Sequence, residues 1–110
     1  MTDLEMTRLC AEAMGLRYQT GYDSKAEYAD SICLYDSGSN LWHTVYDPLH
    51  DDAQAMALVK RFGLFLGKFS KGDYWCVETH ARFEELYHYR SDDLNRAIVN
   101  CVARMQKSKK

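Results

Sequence analysis

Five side chains able to hold an ion or move a proton fall within ten residues: His43, Asp47, His50, Asp51 and Asp52. A zinc site would need three or four such ligands converging at about 2.0–2.3 Å, commonly histidines with a carboxylate. His43 is expected on a strand and His50 just before a helix, with Asp47 able to reach either. The same residues have a plainer use. Asp47 stands before Pro48, which is ordinary turn chemistry. Asp51 and Asp52 stand where a helix begins and its first amides lack partners. Capping is therefore the primary reading, with a weak ion site or a catalytic cluster built on His43, Asp47 and His50 as alternatives. A second group, His80 and His88 with Glu78, Glu84 or Cys76, flanks an expected strand turn. No Ser-His-Asp or Cys-His arrangement is readable, and no phosphate-binding glycine motif occurs. No catalytic residue and no cofactor is assigned.

The elements that must position these residues follow from hydrophobic period and punctuation. Thr2-Asp3-Leu4-Glu5 fits a capping box opening a helix over about 3–14. Leu4, Met6, Leu9, Cys10, Ala13 and Met14 supply its apolar residues, and Gly15 can close it. Residues 16–30 carry turn signals and at most a short edge strand. Ile32 to Tyr35 and Leu41 to Tyr46 read as a hairpin. A second helix follows, with Ala55, Leu58, Val59 and Phe62 on one face and Gly63 as its stop. Strands are expected at about 64–69, 74–79 and 82–90. Ser91 is expected to cap a third helix whose core face is Leu94, Ala97, Ile98, Cys101, Val102 and Met105.

At 110 residues the chain has room for one core. The expected organisation is a single domain over 1–106 and a basic tail at 107–110. The expected fold class is α+β, three helices with a mostly antiparallel sheet, arranged as a helix–sheet–helix sandwich. No apolar run approaches the roughly 20 residues that span a bilayer, and the N-terminus lacks the pattern of a signal peptide. The expected location is therefore the cytoplasm. Cys10, Cys33, Cys76 and Cys101 include no C-x-x-C pair and sit in apolar patterns, so buried free thiols are expected. Residues 1–59 hold 10 acidic and 3 basic side chains; residues 60–110 hold 6 and 11. The overall balance of −2 gives no support to nucleic-acid binding. Whether the two halves interleave in space decides what that asymmetry means.

"YDPLHDDAQAMALVKRFGL" (46–64) and "DLNRAIVNCVARM" (93–105), together with the opening "MTDLEMTRLCAEAMG", resemble the phage ABA sandwich domain. The resemblance implies a three-layer helix–sheet–helix fold and a phage or prophage origin. It supplies no catalytic residues. The functional expectation is a non-enzymatic accessory protein that binds a host protein, with a host-defence component, as for an anti-CRISPR, the favoured target. The contact surface is expected at Tyr18, Tyr22, Asp23, Tyr28, Tyr87, Tyr89 and Arg90, because Tyr and Arg dominate interface hot spots. The main alternative is a binder of a nucleotide signal using Arg82, Arg90, Tyr87 and Trp75. A metal-dependent enzyme is the other. Oligomeric state is not readable.

Overall fold

A computed structural model describes residues 1–20, 31–36, 41–68, 74–79 and 88–109; of residues 36, 41–43 and 88–90 it describes the backbone alone. The described elements, in chain order, are α1 (Asp3–Ala13), β1 (Tyr18–Thr20), β2 (Ile32–Asp36), β3 (Leu41–Tyr46), α2 (Asp52–Phe62), β4 (Phe65–Lys68), β5 (Trp75–Glu78), β6 (His88–Ser91) and α3 (Leu94–Ser108). The class is α+β. The strands form two three-stranded antiparallel sheets, β1-β2-β3 and β4-β5-β6, rather than one.

The helix ends show local chemistry at work. The Thr2 hydroxyl accepts from the Glu5 amide at 3.1 Å. The reciprocal arm of the expected capping box is not made; the Glu5 carboxylate lies 3.7 Å from Lys107 instead. Asp51, not Asp52, caps α2, accepting from the Gln54 amide at 3.0 Å. Gly63 ends α2 at φ 61°, a left-handed conformation that costs glycine little. Asp93, not Ser91, caps α3 through the Arg96 amide. Ser91 belongs to β6 and its hydroxyl accepts from the Asp93 amide. Three aspartate or serine candidates within three residues made the true cap ambiguous. The helix also runs on to Ser108, through residues expected in the tail.

The core is organised around α3. Seven consecutive residues, Ala97 to Ala103, are buried. The expected apolar face accounts for Ala97, Ile98, Cys101 and Val102, but Val99, Asn100 and Ala103 are enclosed as well. A helix covered on all sides needs neighbours on all sides. α3 packs on α1, on α2 and on β5 and β6. Ala97, Cys101 and Ala103 keep its surface narrow enough for close approach. The Cys10 thiol reaches the Val99 carbonyl at 3.5 Å, joining α1 to α3 inside the core. Met6, Leu9, Ile32, Tyr46, Leu49, Ala55, Leu58, Phe62, Leu64 and Val77 complete the cluster.

All four cysteines are buried free thiols, as expected. Burial pushes Cys101 up to about 12. Cys10 is raised further, by burial first and then by the neighbouring Cys101. These thiols pack as small hydrophobes and are poor nucleophiles.

The Tyr46 hydroxyl is buried with no hydrogen-bond partner among the described residues. Leaving a buried polar group unpaired costs about 1–3 kcal/mol. Tyr46→Phe removes that hydroxyl and keeps the ring. The expected outcome in chemical denaturation is unchanged or higher stability, by up to about 1 kcal/mol. A clear loss of stability would show that the hydroxyl has a partner in solution.

Candidate functional site

Asp47, His50, Asp51 and Asp52, four of the five residues of the opening cluster, make structural bonds at the turn and the helix start. Between β3 and α2 the chain reverses over Asp47-Pro48-Leu49-His50, and Pro48 and Leu49 are buried. The His50 and Asp51 amides both donate to the Asp47 carbonyl, at 3.1 and 2.9 Å. Gln54 clamps the turn from the helix: its Oε1 accepts from the Asp47 amide at 2.6 Å, and its Nε2 donates to the Val45 carbonyl at 3.3 Å. The His50 Nδ1 lies 2.8 Å from Asp47 Oδ2, in an exposed pair. Asp52 accepts from Asn95 Nδ2 at 2.8 Å, tying the start of α2 to the start of α3. The side chain of His43 lies outside the described residues. Among the described residues, no group of three or more His, Cys, Asp or Glu is placed to hold a metal ion.

A charged clamp borders the same region. Arg96 donates from both terminal nitrogens to the two Asp3 oxygens, at 3.0 and 3.1 Å. Glu5 approaches Lys107 at the far end of α3. Acidic residues of the first half thus meet basic residues of the second, so the charge asymmetry of the sequence is partly neutralised inside the fold. A shallow cavity of about 150 Å³ lies beside this clamp, lined by residues including Asp3, Thr7, Tyr46 and His50. Asp3 and His50 are engaged in the bonds just described, and the Thr7 hydroxyl donates to the Asp3 carbonyl at 2.8 Å.

The expected tyrosine surface is only partly within view. Tyr18 is half-buried against the core, and its hydroxyl donates to Glu12 at 2.9 Å. It is spent on structure. Tyr22, Asp23, Tyr28 and Tyr87 lie outside the described residues, as do Arg82, His80 and Glu84. Tyr89 and Arg90 are on β6, opposite Val77 and Cys76, with only their backbone described. Trp75, the stacking candidate, is half-buried and carries the Lys68 ammonium 5.4 Å from its ring centroid. That contact occupies part of the face a base would need.

The structure instead exposes a surface the sequence reading passed over. All four residues of β4 are exposed, with Phe65 at 55% and Leu66 at 37%. β4 pairs with β5 in the register Phe65↔Glu78, Leu66↔Val77, Gly67↔Cys76, Lys68↔Trp75. Among the described strands it pairs with β5. A groove of about 230 Å³ runs along it, lined by Phe65, Leu66, Gly67, Lys68, Cys76 and Glu78. A side-chain carbon built on Gly67 would meet no atom within 4 Å, so the groove lies open above that glycine. The available signal was the glycine inside "LFLGKF", since an isolated strand glycine often marks a site where another backbone approaches.

No family model matches the chain, and neither a curated protein nor a solved structure matches it. No helix among the described residues is long and apolar enough to cross a membrane.

Two predictions follow from the turn and the clamp. Asp51→Ala removes the α2 cap and is expected to lower stability by about 0.5–2 kcal/mol, while Asp51→Asn costs little. His50→Ala should change stability by less than about 0.5 kcal/mol, as for an exposed pair. Thermal melts with and without added zinc check both, and a zinc-dependent rise abolished by His50→Ala would restore the metal reading. The second concerns acid stability. The hydrogen bond from Arg96 holds the Asp3 carboxyl below its ordinary value of 3.8. A carboxyl lowered in the folded state adds stability above its unfolded value and loses it as pH falls through the folded one. Asp3→Asn should therefore destabilise slightly near neutrality and make the loss of stability below about pH 4 shallower. Urea midpoints across that range measure it.

Proposed function

We propose that this chain is a non-enzymatic binding protein that acts by occupying a surface of another protein, with β4 as its contact strip. The observation that carries the reading is the exposure of Phe65 and Leu66 on a strand whose four residues are all uncovered. Exposed apolar side chains beside an open groove are what a partner interface buries. Of the ionisable side chains that sequence alone offered for chemistry, Asp51 caps α2, Asp47 pairs with His50 and Asp52 accepts from Asn95.

The resemblance of residues 46–64 and 93–105 to the phage ABA sandwich domain supports a phage or prophage origin. On that reading the partner is a protein of the bacterial host, and a defence component is the favoured target. The chain would work by steric occupation, so its effect would scale with affinity and not with turnover.

Affinity capture with the full chain, from a lysate of the cell that carries the gene, tests this. The wild type should retain one protein in stoichiometric amount. The double variant Phe65→Asp with Leu66→Asp should retain at least about tenfold less, with its melting temperature unchanged within a few degrees. Failure of the wild type to retain any protein overturns the reading. Equal retention by the folded double variant keeps a binding function and removes β4 from it.

A further inference from the structure

Resting on the reading of this chain as a protein binder, but on none of the β4 residues, we propose that the pocket between α2 and α3 takes an arginine side chain of the partner, with apolar residues beside it. The pocket measures about 340 Å³ and lies where the two helices begin. Ala55 and Ile98, both buried, and the half-buried Leu94 give it an apolar lining. Met56, 40% exposed, continues that lining to the surface. Small-molecule sites run to ~300–1,000 Å³, and a volume near the lower end suits one or two side chains better than a nucleotide.

The polar lining decides the charge. It consists of Asp52, Asp93 and Asn95. Asp52 Oδ1 accepts from Asn95 Nδ2, and Asp93 Oδ1 accepts from the Arg96 amide. The second oxygen of each carboxylate has no partner among the described residues, and no described cation pairs with either aspartate. Asn95 turns its amide nitrogen to Asp52, so its carbonyl oxygen is the group left for a ligand. All three are acceptors. A ligand that fits brings donors and no acceptors, which describes a guanidinium with its five N–H groups in one plane. An ammonium concentrates its donors at one point and spans separated acceptors less well.

The surroundings favour the same charge. Asp51 and Asp92 adjoin Asp52 and Asp93, so four carboxylates stand at these two helix starts. The cations of the same stretches are committed: His50 lies on Asp47, and Arg96 is bidentate on Asp3. Each helix start acts like about half a positive charge and favours an anion. The caps Asp51 and Asp93 already answer that demand, so Asp52 and Asp92 are an excess. A phosphate is therefore repelled. A metal ion fits poorly, because among the described residues no group of three or more His, Cys, Asp or Glu is placed to hold one. Met56 points to a protein as the source of the arginine. A free cation needs carboxylates alone, whereas an adaptable methionine at the mouth can pack on the residues that flank an arginine.

The test titrates the full, isotope-labelled chain with the peptide acetyl-Gly-Leu-Arg-Leu-Gly-amide and follows backbone amide shifts. Saturable shifts are expected at residues 52–56 and 93–98. The same peptide with citrulline in place of arginine keeps the shape without the charge and should bind at least about tenfold more weakly. Binding of the arginine peptide should weaken as salt is raised. Asp52→Asn keeps an acceptor for Asn95, and Asp93→Asn keeps the α3 cap because asparagine also caps. Each should weaken binding about threefold, and the pair at least about tenfold. Met56→Lys sets a cation of this chain at the mouth and should abolish the shifts while the melting temperature stays within a few degrees of wild type. No saturable shift up to about 10 mM peptide, beyond the millimolar range of a single anchored side chain, overturns the proposal. So does equal binding of the citrulline peptide, or shifts confined to other residues. Arginine amide or spermidine binding as tightly as the peptide also overturns it, since the pocket would then be a site for free cations. If the peptide fails while partner capture still depends on Phe65 and Leu66, the pocket is wrong and the binding function stands.

Discussion

The burial of α3 on every side is the constraint from which the rest of this structure follows. A fifteen-residue helix enclosed from Ala97 to Ala103 cannot be covered by one sheet. It draws α1 onto one side, α2 onto another and the strands β5 and β6 onto the remainder. Small residues make this possible. Ala97, Cys101 and Ala103 shorten the distance at which neighbours can pack, and dense packing is what turns area into stability. Cys10 reaching the Val99 carbonyl shows how closely α1 approaches.

With the apolar surface committed in this way, the polar residues around α3 act as its fasteners. Asp3 and Arg96 lock the start of α1 to α3, and Asp52 and Asn95 lock the start of α2 to it. Glu5 near Lys107 adds a contact toward the other end. These are exposed groups and each contributes little alone. Their value is in register: they set which turn of each helix meets α3. The Asp47–Gln54 clamp does the same for the passage from β3 to α2. Asp47, His50, Asp51 and Asp52 are thereby engaged in the passage from a sheet to a helix.

The sheet β4-β5-β6 shows the opposite economy. β5 is drawn into the core through Val77, while all four residues of β4 are exposed. Here the only charge on the strand is Lys68, and it lies over Trp75. Exposed Phe65 and Leu66 lie beside an open groove over Gly67.

Much of the fold was legible before the structure. The periods that gave α1, α2, the β2–β3 hairpin and α3 are local, because a helix repeats every 3.6 residues and a strand every two. The aspartate and threonine caps and the Gly63 stop were legible for the same reason, although the choice between Asp51 and Asp52, and between Ser91 and Asp93, needed backbone angles. Tertiary packing decided the rest. A one-sided helix face reads the same in sequence whether its back is wet or covered, so the enclosure of Val99, Asn100 and Ala103 was invisible. The division into two sheets depends on which strands meet, a long-range choice that no local pattern encodes. The candidate site was less legible still. "LFLGKF" reads as a strand, and no apolar run says which of its residues the fold will leave exposed. That depends on how many elements remain to cover it after α3 has taken its share.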